Sequence, residues 1–147
     1  MERKRSSFRK NQWVDNGYLG GEFLNIQTFD EFLKENNINY AIIVDIEKAR
    51  LIPVGSRESL FFDGMIKTNF YDIETALVLN EFLKTQYMPK VFKQGEVMCV
   101  ITKPNDDYII GLFYHDDREA KEVFQRTEYL NERTKDFWSM QMQGIIP

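Results

Sequence analysis

The sequence predicts a single α/β domain whose elements run α-β-β-α-β-β-β-α. Three observations predict it. Residues 40–44 (YAIIV) and 108–114 (YIIGLFY) are continuously apolar, the mark of strands covered on both faces. Residues 90–138 read as three strands and a long helix, with a turn signal at each junction. The chain's 147 residues are one domain's worth, enough to bury roughly two-thirds of the unfolded surface.

The first ten residues (MERKRSSFRK) set five bases against one acid, the pattern of a solvated tail or of an arm for an acidic partner. Trp13, Val14, Tyr18 and Leu19 follow, and residues 1–26 are expected to form a basic, partly disordered arm. Residues 27–138 are the expected domain and 139–147 a tail. Thr28 and Glu31 have the spacing of a capping box. Phe29, Phe32 and Leu33 give the helix they open an apolar stripe, and Asn36-Asn37 is its stop. Residues 40–44 and 51–54 form a hairpin, with Pro53 marking the second strand as an edge or a bulge.

Two readings compete between residues 63 and 83. In the favoured one, a single helix runs from an N-cap at Asp63, through Met65, Ile66, Asn69 and Phe70, to Ile73, Ala76, Leu77, Asn80 and Leu83. In the other, Asp63-Gly64 is a hairpin turn and Asp72 caps a shorter helix. Pro89 ends the helix in either case. Residues 91–93 are a short strand, 94–96 a tight turn, 97–103 a strand and 104–107 (PNDD) a turn. Gly111, inside the next strand, marks a bulge or a close approach. Asp116 and Glu119 have capping-box spacing ahead of the last helix. Its apolar stripe is Ala120, Val123, Phe124, Thr127, Leu130, Thr134, Phe137 and Trp138.

Composition narrows the function. A net charge of −4 does not point to a nucleic-acid protein. One cysteine, Cys99, excludes an intrachain disulfide and fits a reducing compartment. No apolar run approaches the roughly 18 residues of a membrane span, so a cytoplasmic location without integral membrane association is expected. His115-Asp116-Asp117 is the sole metal candidate, and one histidine with Cys99 does not make a zinc site. Cys99, among Val97, Met98, Val100 and Ile101, reads as a core thiol. Asp45 with Asp106 or Asp107 is a conceivable carboxylate pair, against a background in which acids in turns are common. There is no Gly-rich phosphate loop. No catalytic, cofactor or metal residue is assigned, and a non-enzyme is expected.

Residues 29–138 resemble the roadblock/dynein light-chain family, a profilin-like domain. FDEFLKENNINYAIIVD is similar to that family's first helix and strand, and ARLIPVGS to its second strand. DGMIKTNFYDIETALVLNEFL takes the place of the central helix, with bulky Phe70, Tyr71, Leu77, Leu79 and Phe82 where small residues are common in the family. VFKQGEVMCVITKPNDDYIIGLFYHDDRE is similar to the strand meander and the entry of the last helix. The resemblance implies a five-stranded antiparallel sheet in order 2-1-5-4-3. The central helix would lie on one face and the terminal helices on the other, with Asp45 and His115 at opposite ends of the sheet. It also implies a homodimer, or pairing with a related roadblock subunit, through the third strand (Lys90, Val91, Phe92, Lys93) and the central helix (Ile73, Leu77, Asn80). Lysines can equally protect a lone edge strand. The function implied is a scaffold or regulator of a Ras-like small GTPase, of the bacterial gliding-motility type, which stimulates GTP hydrolysis in some members. Two other readings are a PAS-like sensory module, with a ligand cavity among Tyr40, Met98, Tyr108 and Phe113, and an inhibitory or immunity-type protein partner.

Overall fold

Five strands build the sheet. They are β1 (Tyr40–Asp45), β2 (Arg50–Gly55), β3 (Lys90–Gln94), β4 (Val97–Thr102) and β5 (Tyr108–His115), all antiparallel, in the order β2-β1-β5-β4-β3. The computed structural model describes residues 25–84 and 89–142, with the backbone of a small ladder pairing Tyr18–Leu19 with Glu22–Phe23. The basic N-terminal residues and Trp13 lie outside the described residues. No helix is long and apolar enough to cross a membrane, among the described residues.

Alternation of side chains divides the core into two layers. On one face, Ala41, Ile43, Ile52, Met98, Val100, Ile110, Leu112 and Tyr114 pack under α1 (Ile26–Glu35) and α4 (Ala120–Phe137). On the other, Ile42, Val44, Leu51, Val97, Cys99, Ile101, Ile109 and Phe113 pack under α2 (Gly64–Asn69) and α3 (Ile73–Leu83). The central strands β1, β4 and β5 are buried on both faces, which is why their sequences are apolar runs. β2, which carries Pro53, lies at one edge.

Four expectations change at helix ends and on one helix face. α1 starts at Ile26, not Thr28. Asn25 is its cap, its Oδ1 accepting from the Thr28 N–H at 3.2 Å, and this local bond displaces the Thr28–Glu31 box. The stop is as expected, with Asn37 in the left-handed region at φ 57°. The single helix from Asp63 to Leu83 is instead two helices, and there is no hairpin at Asp63-Gly64. The Asp63 carboxylate does not cap α2, because it pairs with Arg57 at 3.0 Å. The chain breaks at Phe70–Asp72, and Asp72 caps α3, accepting from the Thr75 N–H at 2.9 Å and the Thr75 hydroxyl at 2.8 Å. Asp116 does not cap the last helix, which begins at Ala120 with Glu119 in the cap position. Ala120 and Phe124 are exposed, so the packed stripe of α4 is Thr127, Leu130, Asn131 and Thr134, flanked by half-buried Val123 and Phe137 as expected.

The break before α3 has a packing cause. Phe70 is fully buried and the far edge of its ring abuts the backbone of β5 at Gly111. A Cβ there would come within 2.6 Å of the ring. Gly111 is therefore a close approach and not a bulge, since the β5 register on both neighbours is unbroken. Beyond α4 the chain continues into a π-helical turn, Trp138–Met142. There Trp138 meets Phe29 edge-on at 5.8 Å and Tyr108 at 5.0 Å, and Met142 is fully buried.

Candidate functional site

Sheet order leaves β3 with one neighbour, β4, so one row of its N–H and C=O groups has no partner strand among the described residues. Two features of the α2–α3 layer run beside this edge. At one end the Lys90 ammonium lies 5.2 Å from the ring centroid of Phe82, near the end of α3. At the other, Gln94 lies against Gly64 at the start of α2, and the Phe62 ring covers Gly95. Phe92 packs half-buried against the α2–α3 core between them. Phe62 and Phe82 are 51% and 52% exposed, and Val78, one turn before Phe82 on α3, is 56% exposed. An aromatic strip thus borders an open strand edge.

Of the seven residues expected at an interface, Lys90, Val91, Phe92 and Lys93 lie on this edge, with Val91 exposed toward the α4 side. Leu77 and Asn80 are half-buried on α3, and the Asn80 Oδ1 is closed off from solvent. Ile73 is buried beneath the helix and offers no surface. The exposed apolar side chains of α3 that were not among the expected interface residues are Val78 and Phe82. Their signal was present: IETALVLNEFL is apolar nearly all round, and a helix of that kind expects cover on more than its core side.

The other candidates serve structure. The Asp45 carboxylate accepts from the Lys48 N–H at 3.1 Å and closes the β1–β2 turn. The Asp107 carbonyl accepts from the Ile46 N–H at 3.0 Å, so Asp45 and Asp107 share one end of the sheet. His115 lies at the other end, where its Nε2 accepts from the Phe61 N–H at 3.1 Å and its ring stacks on Phe61 at 4.0 Å. Asp116 takes two charge-assisted bonds from the Arg118 guanidinium, both at 2.9 Å, and lies 3.9 Å from Arg126. The Arg118 bonds hold its carboxyl below the usual carboxylate range. Arg126 lies over the Tyr114 ring at 4.3 Å and donates to the carbonyls of Asn36 and Asn37, tying α4 to the end of α1. Cys99 is fully buried, and burial pushes its thiol far up, away from reactivity. No group of His, Cys, Asp and Glu among the described residues could hold a metal ion.

The ligand-cavity reading does not survive the sheet geometry. Met98 and Tyr108 belong to the layer under α1 and α4, Tyr40 and Phe113 to the layer under α2 and α3. The sheet separates them, and all four are buried in contact with their own layer.

Strand order β2-β1-β5-β4-β3, with a two-helix layer on each face, is the roadblock/LC7 fold. No family model matches the chain, and no curated protein sequence matches it. Among solved structures, it is similar to MglC from Myxococcus xanthus, with 16% identity, a TM-score of 0.50, and 76% of this chain and 93% of that chain covered. It is also similar to Myxococcus xanthus MglB, with 10% identity, a TM-score of 0.48, and 78% and 94% covered. A Roadblock/LC7 domain from Streptomyces avermitillis aligns with 12% identity and a TM-score of 0.42, over 73% and 94%. What the chain shares with MglC is the fold.

Proposed function

We propose that this chain is a non-enzymatic regulator or scaffold that self-associates through the β3 edge and the outer side of α3, and in that form binds a Ras-like small GTPase. The observation that carries the reading is the β3 edge, which has no second partner strand among the described residues, together with exposed Phe62, Val78 and Phe82. Exposed aromatics beside unpaired backbone are costly on a free surface and useful at a protein interface. The GTPase partner follows from the resemblance of the segments to roadblock domains. The titratable side chains described above are bound up in turns and in the Asp116–arginine network. The domain would therefore act by offering a rigid surface that positions the GTPase's own switch segments, with no catalytic side chain of its own.

The test is to mix the purified chain with a GTP-loaded Ras-like GTPase and follow both complex formation and phosphate release. Co-elution, with or without a changed hydrolysis rate, supports the reading. Absence of both across the GTPases of the host overturns the partner assignment.

A further inference from the structure

We infer that a cavity at the ends of α3, β4 and α4 binds a small phosphate monoester, held by Lys84, Lys103, Lys135 and the Asn131 amide. None of these residues belongs to the strip that borders the β3 edge. The cavity measures about 280 Å³, the small end of the range for ligand pockets. It opens where the two helical layers meet at one end of the sheet. Lys84 closes α3, Lys103 follows β4, and Asn131 and Lys135 lie in the last turns of α4.

Charge is the first observation. Three ammonium groups line the cavity against one carboxylate, that of Asp106, in a chain whose net charge is −4. Lys84 has only an exposed pair with Glu81, at 3.3 Å, which is worth little in water. Lys103 and Lys135 are half-buried and form no ion pair among the described residues. The Lys103 ammonium donates instead to the Asp106 carbonyl, at 3.0 Å. Burial is the main influence that holds it below the usual lysine range. Asp106 and Asp107 oppose that effect, and the charge of Lys84 adds to it. Helix dipoles explain lysines at the ends of α3 and α4. They do not explain Lys103, which ends a strand, where the net dipole is small.

Asn131 is the second observation. It lines the cavity while only 6% exposed. Its Oδ1 accepts from the buried Thr102 hydroxyl, and its amide N–H groups have no partner among the described residues. Buried amides are normally satisfied, so a donor is left over beside three cations. A phosphate monoester answers this set, with close to two negative charges and three acceptor oxygens. Leu83 and Ile101 add an apolar wall, which suits the organic part of an ester better than a bare ion.

Thermal unfolding and calorimetric titration of the full chain test this. The probes are phenyl phosphate and inorganic phosphate, with sodium chloride at matched ionic strength as the control. The expected result is a saturable rise in Tm with both phosphates, larger for phenyl phosphate, and no saturable rise with chloride. Lys103→Gln and Lys135→Gln should each weaken phenyl phosphate binding about tenfold. Lys121→Gln, at an exposed position near the start of α4, removes the same charge and should leave binding unchanged. Asn131→Asp keeps an acceptor for Thr102, replaces the amide donor with a carboxylate oxygen, and should abolish binding. If that variant does not fold, the lysine variants decide. A chloride effect equal to that of phosphate, or cavity-lysine variants that bind as well as Lys121→Gln, overturns the site. Equal affinity for the two phosphates overturns the ester assignment and leaves an oxyanion site. Neither result bears on self-association, so the two readings fail separately.

Discussion

At Gly111, β5 meets the edge of the Phe70 ring, with room for a hydrogen and not for a methyl group. Phe70 is fully buried and also meets Phe113 edge-on at 6.0 Å, so the ring has little freedom to retreat. Gly111→Ala is expected to destabilise the fold by about 1–3 kcal/mol in urea denaturation. Adding Phe70→Leu should recover part of the loss caused by the clash, which a simple glycine-to-alanine propensity change would not allow. Asp116 makes a different residue-scale point. Its carboxylate is buried and tied to Arg118, and its pKa is lowered by those bonds. Because the folded value lies below the unfolded one, the charged group stabilises the fold above the ordinary carboxylate range. That stability is lost as pH falls through the depressed value. Asp116→Asn should cost on the order of 1–2 kcal/mol at neutral pH, and the gap from the unsubstituted chain should close as pH falls below the ordinary carboxylate range. A gap that persists undiminished in acid would mean that the side chain acts through packing alone.

At the scale of elements, the segment before β3 is decided by competition between a local period and a tertiary contact. A continuous helical pattern runs from Met65 to Leu83, yet the chain interrupts it so that Phe70 can turn onto the sheet. Asp72 then restarts the helix by accepting two bonds from Thr75. Asp72→Ala should cost about 1 kcal/mol, as helix caps do, and lower the hydrogen-exchange protection of the first turn of α3 more than that of α4. Equal loss of protection in both helices would argue against a local cap. Capping motifs were legible as chemistry, with Asp, Asn and Thr in the expected neighbourhoods. Which of several candidates wins was not, because Asn25 and Glu119 stand in the cap positions, each three residues along the chain from the expected Thr28 and Asp116. Asp116 is removed from capping by Arg118, two residues on and ahead of α4, whose backbone N–H and guanidinium both donate to its carboxylate, with Arg126 of α4 at 3.9 Å.

For the whole molecule, the two faces of the sheet are covered among the described residues, while its edge strands β2 and β3 each have a strand on one side only. Val78 and Phe82 lie on the outer side of α3, away from the core contacts made by Ala76, Leu79 and Leu83. Val78→Asp with Phe82→Asp should leave monomer stability within about 0.5–1 kcal/mol, since exposed positions carry little folding energy. If the strip is an interface, the same pair of substitutions should abolish self-association in sedimentation. A double variant that still forms the dimer would place the interface elsewhere.

The sequence by itself determined the five strands, the last helix and the division of the domain into apolar runs and turns. Each of these is dictated by a periodicity or a turn residue within about ten positions. It also carried, through the resemblance of its segments, the strand order and the assignment of helices to faces. Tertiary structure alone decided the break at Phe70–Asp72, the burial of Met142, and the separation of Tyr40 and Phe113 from Met98 and Tyr108. Each depends on a contact or a sheet-face assignment between residues distant in sequence. The aromatic strip was visible only as excess hydrophobicity in α3 until the sheet order placed it beside an open edge. Periodicity says that a side chain is to be covered, and only the packed chain shows which ones its own core leaves uncovered.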